Sequence, residues 1–135
     1  MEKHIDILKE RFGKDSLMSL ATVDEKGKPW VRTMDAIFYD DSFYTITYGL
    51  SNKMKHIENN PVVAISGDWF SGYGIAENCG YIKNENNEEI ANRLRTAFNV
   101  WYSNGHVNEE DSNTVILRIK LTDGVLSNNG EKIEF

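Results

Sequence analysis

The stretch from Thr47 to Lys55 contains the residues best suited to chemistry in this chain. An aromatic and β-branched run ends at Thr47, Gly49 allows a turn, and Ser51 begins a segment of helical character with Lys53 in its first turn. The unpaired N–H groups and partial positive charge of a helix N-terminus attract anions, and a lysine adds a full positive charge. The spacing therefore indicates a phosphate site.

Arg32 lies upstream of this stretch, in another run that is typical of a β-strand. Its guanidinium could face the same anion, because arginine binds phosphate through parallel hydrogen bonds. The alternative is that Ser51 only caps a helix, Lys53 is solvated, and Arg32 pairs with Asp24 or Asp35. Spacing alone leaves both interpretations open.

Composition limits the class of protein. A chain of 135 residues, 40% of them hydrophobic, is long enough for one domain with a buried core, so we expect a single domain over residues 1–135. No apolar run reaches the roughly 18 residues of a membrane span, and the charged N-terminus does not resemble a signal peptide, so we expect a cytoplasmic protein without a membrane partner. The net charge of −6 argues against general nucleic-acid binding.

The pattern of apolar residues predicts a mainly β protein of the α+β class. The predicted strands, about six in number, are Ser16–Val23, Trp30–Tyr39, Phe43–Thr47, Val62–Ser66, Ile75–Ile82 and Val115–Leu121. Helical periodicity predicts helices near Glu2–Phe12, Ser51–Asn59 and Ile90–Trp101. We expect loops at Phe70–Gly74 and Tyr102–Asn113, with the acidic run Glu109–Asp111 in solvent. Short strands separated by turns favour a small β-barrel over a doubly wound parallel sheet.

Several segments in the first half of the chain carry a family resemblance. They are Leu20–Asp24, Gly27–Met34, Phe43–Thr47 and Ser51–Pro61. In order and spacing they resemble the pyridoxamine 5′-phosphate oxidase-like family. The second half of the chain resembles the short, general-stress-protein-like branch of that family. The resemblance implies a split β-barrel of about six antiparallel strands with flanking helices. It also implies a homodimer that binds FMN in clefts between its two subunits.

The resemblance also implies cofactor-binding positions. They are Arg32, Thr33, Met34, Asp35, Ile46, Thr47, Ser51, Asn52 and Lys53. Arg32 and Lys53 would contact the FMN phosphate with support from Ser51, and the strand residues would line the flavin, mainly through backbone groups at 33–35. Asn52 stands where many relatives have a second phosphate-binding arginine, so the expected affinity for FMN is lower.

Two departures from the family concern the substrate. Ile37 occupies the position where true pyridoxine phosphate oxidases have a substrate-binding lysine, and their C-terminal Arg-and-His segment has no counterpart beyond Asn129. We therefore expect no oxidation of vitamin B6 phosphates. The resulting hypothesis is an FMN-dependent oxidoreductase that passes electrons from a reduced nicotinamide or similar donor to a small-molecule acceptor. The flavin would carry the chemistry, so no catalytic side chain is assigned.

Two other functions stay open: a non-catalytic protein that binds a flavin, haem or another planar ligand, and a deazaflavin-dependent reductase. His56 and His106 are the histidines to test as axial haem ligands. No histidine has a partner at zinc-site spacing, so we expect no metal site. Cys79 is expected to be a small strand residue, and the helical phase of Trp101 predicts a core position from which it could also border a ligand cleft.

Overall fold

A computed structural model describes residues 2–135. Its helices are α1 (Lys3–Phe12), α2 (Asn52–Asn59) and α3 (Glu88–Ala97), the last preceded by a 3-10 turn at Glu85–Asn87. Its strands are β1 (Ser16–Val23), β2 (Pro29–Tyr39), β3 (Ser42–Tyr48), β4 (Val62–Gly67), β5 (Phe70–Tyr81), β6 (Thr114–Asn128) and β7 (Glu131–Glu134). Within this range no helix is both long enough and apolar enough to cross a membrane.

The strands form one antiparallel sheet in the order β3-β2-β1-β4-β5-β6-β7. A further pairing of β3 with β6 closes the first six strands into a barrel, which confirms the predicted α+β, mainly β class. The additional strand β7 pairs with the end of β6 through a turn at Asn129-Gly130, where both residues have positive φ angles of 51° and 81°. An Asn-Gly pair favours such a turn because both residues tolerate this conformation.

Strand β5 contradicts one sequence-based prediction. We predicted a loop at Phe70–Gly74, whereas these residues begin β5 and the chain reverses earlier, at Trp69 with a φ of 54°. The glycines in this segment serve close packing: a Cβ on Gly74 would lie 2.7 Å from Cγ2 of Ile119 and 2.8 Å from the Lys120 carbonyl oxygen. Glycine here allows two strands to approach closely, and it does not mark a loop.

The buried residues form two clusters. The larger fills the barrel, and α1 covers it with Leu8 and Phe12. The smaller lies under α3, where Leu94 and Phe98 pack on Ile116. Strand β6 faces both clusters, so its first residues are buried on both faces instead of alternating between core and solvent.

Candidate functional site

A cavity of about 440 Å³ opens between β2, β3, the start of α2 and the segment that follows α3. Its wall consists of Met34, Asp35, Thr45, Ile46, Thr47, Lys53, Trp101, Asn104, His106 and Val107. Four of these side chains are apolar and six are polar or charged, so the wall offers an organic ligand both apolar surface and hydrogen-bonding groups.

The structure brings many of the predicted site residues together at this cavity. Those in its wall are Met34, Asp35, Ile46, Thr47 and Lys53. Ser51 precedes α2 beside Lys53, with the lysine Nζ 3.4 Å from the serine Oγ. Asn52 and Thr33 are exposed and lie outside the wall.

Arg32 is half-buried, and a single nitrogen anchors its guanidinium. Nη1 donates to Oγ1 of Thr22 at 2.7 Å, to the Trp30 carbonyl oxygen at 3.2 Å and to the Leu20 carbonyl oxygen at 3.3 Å. In the part of the chain that the structure describes, Nε and Nη2 make no hydrogen bond. The guanidinium is therefore fixed on one side and available on the other.

Arg32 and Lys53 lie close enough for their charges to interact. Burial, followed by the positive charge of Arg32, lowers the pKa of Lys53. Among residues 2–135 neither cation has a carboxylate oxygen within 4 Å. Two neighbouring positive charges without an acid repel each other, and an anion bound between them would remove that repulsion.

The alternative pairing of Arg32 with Asp24 or Asp35 is wrong. The carboxylate of Asp24 accepts hydrogen bonds from the backbone N–H groups of Lys26 and Lys28 and from Nε1 of Trp30, each at 2.9 Å. Asp24 therefore stabilises the β1–β2 turn.

The N-terminus of α2 offers further donors. Ser51 occupies the N-cap position with an extended backbone, yet its hydroxyl makes no capping hydrogen bond. Its carbonyl oxygen accepts from the N–H groups of Met54 and Lys55, at 3.1 and 3.2 Å. No acceptor for the N–H groups of Asn52 and Lys53 lies within residues 2–135. Such unpaired N–H groups are the usual means by which a helix start binds phosphate.

The two candidate haem ligands lie in different places. His106 is in the cavity wall. His56 lies outside the wall, with its Nδ1 2.8 Å from Oγ1 of Thr22, the hydroxyl that also accepts from Nη1 of Arg32. Cys79 lies in β5, where burial and the nearby Glu77 raise the pKa of its thiol, which disfavours the reactive thiolate.

The segment after α3 supplies part of the cavity wall: Trp101 borders the cavity, as the sequence suggested, whereas the positions of Asn104 and Val107 were not predicted. The side chain of Glu109 accepts hydrogen bonds from Nε and Nη2 of Arg95, both at 2.8 Å, and from the hydroxyl of Tyr102. The expectation that this acidic run is solvated is therefore wrong for Glu109. Hydrogen bonding by Arg95 lowers the pKa of Glu109. These contacts hold the segment that carries Asn104 and Val107, and no periodic pattern in the sequence indicates them.

A family profile described as pyridoxamine 5′-phosphate oxidase matches residues 6–127. The chain belongs to this family. Over 62 residues it is 44% identical to the pyridoxine/pyridoxamine 5′-phosphate oxidase of Pectobacterium atrosepticum, a match that covers 44% of this chain and 26% of that protein. The chain thus matches about a quarter of the length of this curated relative.

Solved structures share the family fold over nearly the whole chain. General Stress Protein 26 from Bacillus anthracis has a TM-score of 0.67 and 20% identity, covering 99% of this chain and 100% of its own. An FAD-binding protein from Mesorhizobium loti has a TM-score of 0.70 and 12% identity, covering 92% of both chains. A heme binding protein from Mycobacterium smegmatis has a TM-score of 0.74 and 10% identity, covering 100% of this chain and 58% of its own. At these identities the likeness concerns the fold.

Proposed function

We propose that this protein binds FMN, with the phosphate between Arg32, Lys53 and the start of α2 and the ring in the adjacent cavity. One observation carries the proposal: two neighbouring cations lack a carboxylate partner within residues 2–135 and lie beside unpaired helix N–H groups. A doubly charged phosphate ester satisfies both cations and the N–H groups at once.

The ring would lie against Met34, Ile46 and Trp101. Asp35 and Thr47 add polar groups at its edge. Thr45 is buried and donates its hydroxyl to the backbone carbonyl of Asp35 at 2.6 Å, which holds β2 in place at the cavity. A preformed cavity of this kind lowers the entropic cost of binding a rigid planar ligand.

A homodimer is part of this proposal, because the outer face of β1, β2, β4 and β5 carries several exposed apolar side chains. Strand register places Ala21 beside Val31 and Ala64, and Ala64 beside Tyr73. Val31 is 72% exposed and Tyr73 is 55% exposed. Large contiguous apolar surfaces on soluble proteins commonly mark interfaces. A second copy on this face would border the cavity, since Leu17 on the same face is paired with Asp35.

The reaction that we propose is electron transfer from a reduced nicotinamide to a small acceptor in the cytoplasm, with the flavin supplying the redox chemistry. Oxidation of vitamin B6 phosphates is not part of the proposal. Ile37, at the family's lysine position, is only 4% exposed and packs in the cluster under α3, so it offers no charge to a substrate phosphate.

Haem is the second candidate ligand, and the observation that favours it is His106 in the cavity wall. An imidazole there could provide an axial ligand to a haem iron. The flavin proposal is preferred because a phosphate ester accounts both for the neighbouring cations Arg32 and Lys53 and for the unpaired N–H groups at the start of α2.

The visible absorption spectrum of the purified protein separates these candidates. After equilibration with FMN or haem and removal of free ligand, we expect the bands of oxidised flavin from the first sample. Bleaching of those bands by NADH or NADPH without oxygen would support an oxidoreductase, and unbleached FMN would support a carrier. A Soret band that disappears in a His106→Ala variant, without retention of FMN, would contradict the proposal in favour of haem.

A further inference from the structure

Hydrogen bonds connect α2 through β1 to Arg32. Nδ1 of His56 on α2 lies 2.8 Å from Oγ1 of Thr22 on β1, and Nη1 of Arg32 on β2 lies 2.7 Å from the same oxygen. Thr22 is 0% exposed, and the other two side chains are half-buried. The hydroxyl of Thr22 therefore has little access to water and depends on these two partners.

The direction of these bonds follows from the hydrogens available. A guanidinium can only donate, so Oγ1 of Thr22 accepts from Arg32. Within residues 2–135 the hydroxyl has His56 as its one other hydrogen-bonding partner. If Nδ1 of His56 carried a hydrogen, the buried hydroxyl hydrogen would have no acceptor, which is costly. The hydroxyl therefore donates to Nδ1, and His56 is neutral with its hydrogen on Nε2.

The bond to His56 fixes the rotation of the Thr22 hydroxyl, so that a lone pair of Oγ1 stays directed at Arg32. The other acceptors of Nη1, the carbonyl oxygens of Leu20 and Trp30, are farther away, at 3.3 and 3.2 Å. Thr22 thus supplies the shortest contact that anchors the guanidinium. Nε and Nη2, which make no hydrogen bond among residues 2–135, are left for a ligand.

The anchor of Arg32 carries no charge. Among the described residues no carboxylate oxygen lies within 4 Å of the guanidinium. A carboxylate in the place of Thr22 would also hold the guanidinium, but it would compete with a phosphate for the same charge. A hydroxyl oriented by a neutral imidazole holds Arg32 in place and leaves its charge to the anion.

We propose that His56 is a positioning residue for the phosphate site: through the hydroxyl of Thr22 it orients Arg32 toward the phosphate of a bound flavin nucleotide. The inference rests on the proposed function for its ligand. His56 is not part of the cavity wall, so it acts on the phosphate only through Thr22 and Arg32.

The affinity for FMN tests this relay from His56 through Thr22 to Arg32. Thr22→Val removes the hydroxyl and keeps the branched shape, and His56→Phe removes the acceptor and keeps a ring. We expect each to weaken FMN binding by about fivefold to tenfold and to leave riboflavin binding unchanged, because riboflavin has no phosphate. Thr22→Ser retains a hydroxyl and should restore most of the affinity. His4→Phe, which replaces a histidine of α1 that stacks on Phe135, should bind FMN like the wild type.

A relay also predicts that these losses do not add. Because His56 acts only through Thr22, His56→Phe should cause no further loss of FMN affinity in the Thr22→Val background. Neither substitution should weaken binding further in an Arg32→Ala background. Losses that multiply would mean that the residues support the site independently, and they would overturn the proposal.

The relay can also be measured without FMN, by 15N NMR of the ligand-free protein at about pH 8, where an ordinary histidine is neutral. We expect Nδ1 of His56 to be the nitrogen without a hydrogen. We also expect the two Nη atoms of Arg32 to give separate signals that merge in Thr22→Val and in His56→Phe. A hydrogen on Nδ1, or a guanidinium that already rotates freely in the wild type, would overturn the proposal.

The possible failures are distinguishable. If Arg32→Ala weakens FMN binding but neither Thr22→Val nor His56→Phe does, the relay is overturned and the proposed function stands. If FMN does not bind the wild type, or binds Arg32→Ala equally well, the proposed function fails and the relay has no phosphate to serve. The NMR signals would then still decide whether His56 and Thr22 orient Arg32.

Discussion

Arg32 shows how much of the site can be inferred from a single residue in the sequence and how much requires the structure. Its place in a strand before a capped, lysine-bearing helix is visible in the sequence, as is the anion chemistry of that combination. Its anchoring through Thr22 and two carbonyl oxygens is visible only in the structure, because those contacts depend on the pairing of β1 with β2. Asp15 carries no sequence signal, since Trp101, whose Nε1 donates to its carboxylate, is distant in the chain.

Asp35 gives a prediction at this scale. Burial, then hydrogen bonding with Asp15 and its charge, raise the pKa of Asp35 from 3.8 to about 6. Between these values the folded protein holds a proton that the unfolded chain has released, so the free energy of unfolding falls as the pH rises through this window and stays lower above it. Asparagine does not ionise. We therefore expect Asp35→Asn to raise the free energy of unfolding at pH 7.5 by about 1 kcal/mol, a value reduced by partial solvation of the carboxyl.

Urea denaturation of the ligand-free wild type and the Asp35→Asn variant at pH 4 and pH 7.5 checks this expectation. The stability difference between the two proteins should be larger at the higher pH. An equal difference at both pH values would mean that Asp35 has an ordinary pKa in the folded protein.

At the scale of elements, the hydrophobic pattern predicted most of the barrel strands. It did not predict the structure of the irregular segment after α3, which forms part of the cavity wall. Strand β1 has the predicted bounds because one face is buried in regular alternation. The extent of β5 was missed because Gly72 and Gly74 resemble turn residues. The continuation of β6 beyond Leu121 was missed because polar and glycine residues interrupt its apolar alternation before Val125 and Leu126, which pair with β5 and β7. The segment after α3 depends on distant polar contacts, which no local period encodes.

Substitution of Glu109 tests whether its contacts hold the segment after α3 in place. Its carboxylate holds Arg95 and Tyr102, and its side chain is 20% exposed, so Glu109→Gln removes a charge-assisted contact from a partly buried site. We expect a loss of about 1–2 kcal/mol in the free energy of unfolding, together with faster amide exchange at 101–107. The neighbouring Glu110 pairs with Lys83 and is 84% exposed, which makes Glu110→Gln a matched control with almost no expected effect. Equal effects of the two variants on stability and exchange would refute this role for Glu109.

At the scale of the whole molecule, ordered segments identified the family although no single motif did so. The sequence also predicted a mainly β barrel, since turn-separated strands with few helices have few other closed arrangements. The position of the outer apolar face required the strand register, because it is assembled from residues on four strands, including Val62 paired with Ile75. That one domain spans residues 1–135 stays a prediction.

The exposed apolar side chains on the outer face of β1, β2, β4 and β5 lead to a prediction about the proposed homodimer. Val62 is 50% exposed and Tyr73 is 55% exposed, and a glutamate at either position would place charge in the proposed interface. We expect Val62→Glu and Tyr73→Glu to convert a dimer to a monomer in analytical ultracentrifugation, with at least a tenfold loss of FMN affinity. Val100, 93% exposed in the segment after α3, provides the control Val100→Glu, which should remain dimeric. A wild-type protein that is monomeric at micromolar concentration with FMN bound would exclude the interface.

The affinity for FMN of an Arg32→Ala/Lys53→Ala double variant tests the central claim most directly. Loss of each charged hydrogen-bonding partner should weaken binding by roughly 1.5–3 kcal/mol, whereas riboflavin, which has no phosphate, should bind the variant and the wild type similarly. Lys55→Ala, which removes an exposed lysine from the same helix, should retain the wild-type affinity. An FMN affinity that is unchanged in the double variant would contradict the account.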